Sequence, residues 1–173
     1  TKLNPLSSYA TPKLDYYSIT INYRDAHNIF ASNWISFNHE SPRRVGTFVT
    51  KKIPTSLPKI YFGLDKPLLL GTLESLRDCG HAKDYAEMQW KILQHKKPDD
   101  FVIATDFQCS VRNFVEKTAL ELGFTIKWKG KGLKEKGFVN KINKKLSKFC
   151  KIKEWNEIIS VNKRYFRPLD VEN

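Results

Sequence analysis

Two residues able to handle protons stand close together near the start of the chain: Tyr9 and Lys13, within SSYATPK at 7–13. Four residues is the spacing that stacks two side chains on one face of a helix. A free tyrosine, with a pKa of ~10, is a poor base, and a neighbouring ammonium lowers that value. Held together, the two could take a proton from a substrate hydroxyl. Spacing alone is weak evidence, because a tyrosine four residues before a lysine recurs by chance in soluble chains.

Little else in the composition carries chemistry unaided. Cys79, Cys109 and Cys150 are odd in number and widely spaced, so neither a disulfide framework nor a metal site is expected, and a reducing, cytoplasmic setting fits. The most apolar run, PLLLGTL, is too short to span a membrane, and TKLNPLSS lacks the apolar core of a signal peptide. The net charge of +12 is concentrated: residues 127–153 hold eleven lysines against one acid, Glu135. A basic stretch with aromatics can be a nucleic-acid footprint. Phe138, Ile142, Leu146 and Phe149 recur at helical spacing, however, which makes the lysines the solvated face of an amphipathic helix. Lysine without arginine also reads bases poorly, so a nucleic-acid partner is the lesser reading.

The elements that must position Tyr9 and Lys13 follow from periodicity. YATPKLDYYSITINYRDAH predicts a helix starting near Tyr9, with Pro12 tolerable if it falls in the first turn. NIFASNWISFN (28–38) is strand-like and leads into NHESPRR, the kind of strand-to-loop exit where open α/β sheets place ligands. TFVTKKI (47–53) starts another element that Pro54 and Pro58 are expected to cut short. KPLLLGTL (66–73) reads as a buried strand breaking at Gly71. GHAKDYAEMQWKILQH (80–95) predicts a helix, FVIATD a short buried strand, and SVRNFVEKTALELG a helix capped by Ser110 and ended by Gly123. FTIKW alternates as a strand does. The alternation of strands and helices predicts an α/β fold.

The stretches NPLSSYATPK, FNHESPRR, TFVTKKI, LGTLESLRDCGHAKDYAEMQW, KPDDFVIAT, SVRNFVEKTALELG, KGLKEKG and RYFRPLDVE occur in an order and spacing that closely resemble the GDP-mannose 4,6-dehydratase family. The likeness covers nearly the whole chain apart from the lysine-rich stretch at about 138–160. FNHESPRR and RDCGHAKDY are long and specific to that family. Other extended short-chain dehydrogenases, such as nucleotide-sugar epimerases, share only the Tyr/Lys pair and the fold.

The resemblance implies the C-terminal part of a Rossmann-like NAD(P)-binding domain, over 1–44 and about 78–106. It adds most of a smaller α/β substrate-binding domain, over about 45–77 and 107–173. It also implies an NADP-dependent lyase converting GDP-mannose to GDP-4-keto-6-deoxymannose, homo-oligomeric when intact. Tyr9 matches the family's base, and Lys13 the lysine that holds the nicotinamide ribose. His39 and Arg44 fall where the family contacts NADP, and Asn38 where it is expected to touch the sugar nucleotide. Lys52, Gly71, Arg77 and Arg167 match positions lining the GDP-mannose pocket, the cations suiting a pyrophosphate. Asp170 falls where the family places a ribose-binding glutamate. Taken without the resemblance, Arg77 beside Asp78 reads as a surface ion pair and His39 as an ordinary loop histidine. The glycine-rich phosphate loop, the catalytic threonine and the glutamate that lie upstream of the tyrosine in the family are not in this sequence, so a fragment inactive by itself is expected. Within the match, Pro12 enters the catalytic helix, Gly46 stands for a usual glutamate and Cys79 for a usual tryptophan.

Overall fold

A computed structural model describes residues 4, 5, 8–143 and 149–165. In chain order its elements are α1 (Thr11–His27), β1 (Asn33–Ser36), β2 (Asn38–Glu40), α2 (Val49–Tyr61), β3 (Leu68–Leu70), β4 (Leu76–His81), α3 (Ala82–Leu93), β5 (Asp100–Ile103), β6 (Gln108–Ser110), α4 (Val111–Glu121), β7 (Phe124–Lys129), β8 (Lys136–Ile142) and β9 (Glu157–Val161). Mixed α/β is the observed class. The chain divides into two compact units, Thr1–Ser41 with Asp78–Phe107, and Pro42–Arg77 with Gln108–Asn173.

In the first unit β1 and β5 pair in parallel, Asn33 opposite Asp100 and Ser36 opposite Ile103. β2 runs parallel to β4, Asn38 opposite Cys79 and His39 opposite Gly80. The core is small: Tyr85, Ile92 and Ile103, with Trp34, Met88 and Phe101 packed against them. Helix α3 starts where expected because His81 is its N-cap, accepting a hydrogen bond from the Lys83 amide at 3.1 Å. Helix α1 starts at Thr11 rather than near Tyr9. Pro12 sets that boundary: it has no N–H to donate to the carbonyl of Ser8, and its ring would crowd that carbonyl if the helix ran further back.

The second unit is built on a four-stranded sheet of order β3-β9-β8-β7, parallel between β3 and β9 and antiparallel elsewhere. Its core joins Ile53, Leu57 and Ile60 of α2, Val115 and Ala119 of α4, and Phe124, Val139, Ile158 and Ile159 of the sheet. Ser110 caps α4 by accepting from the Asn113 amide at 3.1 Å, and Gly123 ends it at φ +82°.

Two expectations change here. Helix α2 does not stop at its prolines but runs through Pro54 and Pro58 for 13 residues. Each interior proline costs about 3 kcal/mol, whereas Ile53, Leu57, Ile60 and Tyr61 are all buried on one stripe. Burying such side chains is worth about 1.5–3 kcal/mol each, so packing wins. The helical spacing of Phe138 and Ile142 is likewise overridden, because both lie in strand β8. There Gly137 and Val139 alternate inward, and a Cβ on Gly137 would sit 3.0 Å from the Trp128 ring. Leu146 lies outside the described residues, and Phe149 stands in a turn. Strands β2, β4 and β6 (NHE, LRDCGH and QCS) carry mostly polar residues and so give no strand signal in the sequence.

Candidate active site

Residues 8–10 form a turn that leads into α1, with Ala10 already in helical conformation and its carbonyl accepting from the Leu14 amide at 3.3 Å. Tyr9 is therefore just outside the helix that carries Lys13. The two still meet: the Lys13 ammonium lies 4.6 Å from the centre of the Tyr9 ring, a cation–π contact. Tyr9 is 72% exposed. Lys13 lines an open cavity of about 400 Å³, together with Leu14 and Tyr17 of α1 and Asn33 through Ser36 of β1.

A carboxylate at the centre of a small hydrogen-bond network ties α1 to β1 and β5. Asp100 accepts from the Tyr17 hydroxyl at 2.7 Å, from Asn33 Nδ2 at 3.0 Å and from Arg24 Nη1 at 3.0 Å. Burial pushes the Asp100 carboxyl up, but these three donors and the Arg24 charge outweigh it and hold it below the ordinary carboxylate range. Its hydrogen bond to Asp100, with partial burial, pushes the Tyr17 phenol up. A group whose folded pKa lies below its unfolded one stabilises the fold above the unfolded value, and that contribution is lost as pH falls through the folded value. Asp100→Asn should therefore be less stable than the parent at neutral pH, and the gap should close on acidification below about 3.9. Thermal melts of both proteins across acid pH check this; a gap independent of pH would show that the Asp100 charge is not the anchor.

Asn38 and His39 sit side by side on β2, Asn38 exposed and His39 half-buried. His39 is no loop residue: its ring stacks on Tyr85 at 5.0 Å between centroids and lies 5.8 Å from Trp34. The Tyr85 hydroxyl and the Trp34 indole nitrogen are buried without a hydrogen-bond partner, and burial, then Asp78 and Cys79, pushes the Tyr85 phenol up. Asp78 is 5% exposed, so the surface ion-pair reading fails. It accepts from the Thr105 amide at 2.9 Å and from the Thr105 hydroxyl at 2.7 Å, joining β4 to the end of β5. Neither Asp78 nor Asp100 stands out as an anchor in the sequence, since the partners of each lie far along the chain.

In the second unit the Arg44 guanidinium lies 3.6 Å from the centre of the Phe48 ring. Lys52 donates to the Leu69 carbonyl at 2.6 Å and lies 3.9 Å from the Tyr165 ring centre, which brings it to the end of β3 that Gly71 follows. Arg77 donates from Nη1 to the Leu76 carbonyl at 2.8 Å. Arg167 and Asp170 lie outside the described residues. Arg112 spends its charge within the fold. It donates to Glu74 from Nε at 2.9 Å and from Nη2, and to Glu135 from Nη2 at 2.8 Å, and it stacks on Trp128. Burial lowers its pKa, but the two carboxylates more than reverse that.

The profile of the family described as GDP-mannose 4,6 dehydratase matches residues 1–173. The chain belongs to this family. It is 48% identical over 172 residues to a GDP-mannose 4,6-dehydratase of Vibrio cholerae, covering 99% of this chain and 46% of that protein. The family chain described here thus spans about half the length of the curated relatives it matches. Among solved structures it resembles RMD from Pseudomonas aeruginosa complexed with NADPH, with TM-score 0.60 and 20% identity, over 65% of this chain and 39% of that one. It also resembles dTDP-glucose 4,6-dehydratase from Bacillus anthracis in complex with NAD, with TM-score 0.62 and 19% identity, over 69% of this chain and 38% of that one. At those identities the likeness establishes the fold, that of the Rossmann nucleotide-sugar enzymes. Among the described residues no helix is long and apolar enough to cross a membrane.

Proposed function

We propose that this chain supplies the tyrosine–lysine pair and part of the substrate pocket of a GDP-mannose 4,6-dehydratase, working with the family portion that it does not span. The observation that carries the reading is the contact of Tyr9 and Lys13 at 4.6 Å within a family match that runs over 1–173. Tyr9, as its phenolate, takes the proton of the sugar 4-hydroxyl and becomes the phenol. Lys13 holds positive charge beside it and would reach the nicotinamide ribose of a bound cofactor.

For the cofactor, the residues present fit one end. Lys13 and Trp34 are both among the residues that line the cavity beside Tyr17, and an ammonium and an indole N–H are donors that suit ribose hydroxyls and a carboxamide oxygen. Among the described residues, no glycine-rich turn leads into a helix N-terminus, the usual cradle for a dinucleotide pyrophosphate. When bound, NADP would supply the acceptor and later the donor of a hydride. His39 and Arg44 would add contacts to it, while Asn38, Lys52, Gly71, Arg77, Arg167 and Asp170 would hold the nucleotide sugar, the cations on its pyrophosphate.

The test is complementation. The chain, co-expressed with the part of the Vibrio cholerae relative that it does not match, should convert GDP-mannose to its 4-keto-6-deoxy product, read by mass spectrometry. Assembly without any turnover would sink this reading. The chain alone should bind NADP too weakly to detect by calorimetry, because Lys13, His39 and Arg44 offer point contacts without a phosphate cradle. Micromolar binding abolished by Arg44→Ala would overturn that expectation.

A further inference from the structure

We propose that the outer face of β7 and β8, with Trp155 beside it, binds single-stranded nucleic acid without regard to sequence. Phe138 and Ile142 lie in strand β8, so the lysines around them are not the solvated side of an amphipathic helix. Both helices of this unit, α2 and α4, pack on the face of the sheet that carries Val139 and Ile159. On β7 the exposed Lys127 and Lys129 alternate with Ile126 and Trp128, which turn toward that core. Two residues apart on one strand, the two lysines leave from the same outer face about 7 Å apart. Opposite them on β8 stand Phe138 and Lys136.

An aromatic ring is fixed among these charges. Trp155 is 52% exposed, and its ring centre lies 4.7 Å from the Lys129 ammonium and 5.4 Å from that of Lys127. Its backbone sits at φ +69°, a left-handed conformation that a bulky residue seldom takes. Hydrogen bonds hold it there. The Trp155 amide donates to the Val139 carbonyl at 2.8 Å, and the Val139 amide donates to the Asn156 carbonyl at 3.0 Å. The Lys153 amide closes the turn by donating to Asn156 Oδ1 at 2.7 Å. A clamped turn therefore presents the ring.

The charge on this face is left uncompensated. Glu135, the single acid of residues 127–153, accepts from Arg112 at 2.8 Å, and Glu157 pairs with Lys136 at 2.8 Å. Among the described residues no carboxylate pairs with Lys127 or Lys129. The complement of two ammoniums and a half-open indole is a chain of anionic groups that also carries flat rings. A single strand has both: its phosphates answer the lysines, and a base stacks on Trp155 as an ammonium moves from the ring to a phosphate. Lysine lacks the fork that reads base edges, so binding tolerates any sequence. A duplex keeps its base faces stacked and offers the ring nothing. An anionic lipid surface is the competing occupant, but it calls for a broad apolar face to insert, whereas here one ring stands among lysines.

The test titrates the full chain into a fluorescein-labelled oligouridylate of about 12 nucleotides and follows anisotropy. The dissociation constant should fall at about 10⁻⁴–10⁻⁶ M, the range of sequence-independent binding. Affinity should drop at least about fivefold between roughly 50 and 200 mM salt, as two or more phosphate contacts require. Trp155→Ala should weaken binding at least about fivefold, the lower end of what one stacked base contributes, and Trp155→Phe, which keeps a ring, should recover part of it. Lys127→Gln with Lys129→Gln should weaken binding and flatten the salt dependence. Lys59→Gln with Lys117→Gln, which takes as much charge from the helices on the opposite face, should leave both unchanged. No binding at the lower salt, binding indifferent to Trp155→Ala, or an equal loss with the helix pair overturns the inference. So does tighter binding to a duplex of the same length or to phosphatidylserine vesicles. The salt and competitor readings use the parent protein and stand even if Trp155→Ala fails to fold. Turnover of GDP-mannose enters none of these readings.

Discussion

Turnover of GDP-mannose by the complemented enzyme should fall at least ~10²-fold when Tyr9 becomes phenylalanine, the usual scale for a positioned acid–base group. The substitution is a clean one here. Tyr9 is 72% exposed, so the loss of its hydroxyl strands no buried partner. The Lys13 contact is made to the ring, and phenylalanine keeps the ring. Stability and assembly should therefore be unchanged while the rate falls in kcat. Lys13→Ala should act differently: if Lys13 holds the cofactor ribose as proposed, KM for NADP should rise. An enzyme that runs equally well with phenylalanine at position 9 would reduce the Tyr9–Lys13 contact to a surface cation–π pair.

The pair itself was legible because it depends on two residues at one spacing, and spacing survives small errors in where a helix begins. Tyr9 stands outside α1, yet the turn at 8–10 already has helical geometry at Ala10, so the four-residue relation is kept. Strong local signals were legible in the same way: Ser110 and Gly123 bound α4, and the stretches at 28–38 and 101–106, read as strands, hold most of the paired strands β1 and β5. What failed were local signals outweighed by burial. Pro54 and Pro58 argue for a break, but four buried side chains on one stripe of α2 outweigh them. Phe138 and Ile142 argue for a helix, but the inward alternation of Gly137 and Val139 in the sheet decides otherwise. Asp78 and Asp100 were not legible as anchors, because their partners Thr105, Tyr17 and Arg24 are 27 to 83 residues away in sequence. Long-range pairing leaves no periodicity behind it.

A methyl group at position 80 should be among the most damaging small changes in the first unit. A Cβ built on Gly80 would lie 2.5 Å from Cε2 of Tyr85 and 2.9 Å from Cγ2 of Thr105, so one of them has to move. Thr105 is held by Asp78 through its amide at 2.9 Å and its hydroxyl at 2.7 Å. Tyr85 is 3% exposed, packed with Ile92 and Ile103 and stacked on His39. Tyr85 is core and Thr105, though exposed, is tied by Asp78, so neither yields freely, and overpacking of this kind costs about 1–3 kcal/mol. With so small a core, that is a large share of the unit's stability. Gly80→Ala should show the loss in denaturant titration, and Gly80→Val a larger one. Trimming the ring in the Gly80→Ala background, as Tyr85→Leu, should recover part of it. The two substitutions would then be non-additive, since they act on one contact. Strict additivity would mean that the backbone yields and that Tyr85 is not what Gly80 makes room for. Because the displaced ring carries His39 with it, Gly80→Ala in the complemented enzyme should also raise KM for NADP more than it lowers kcat.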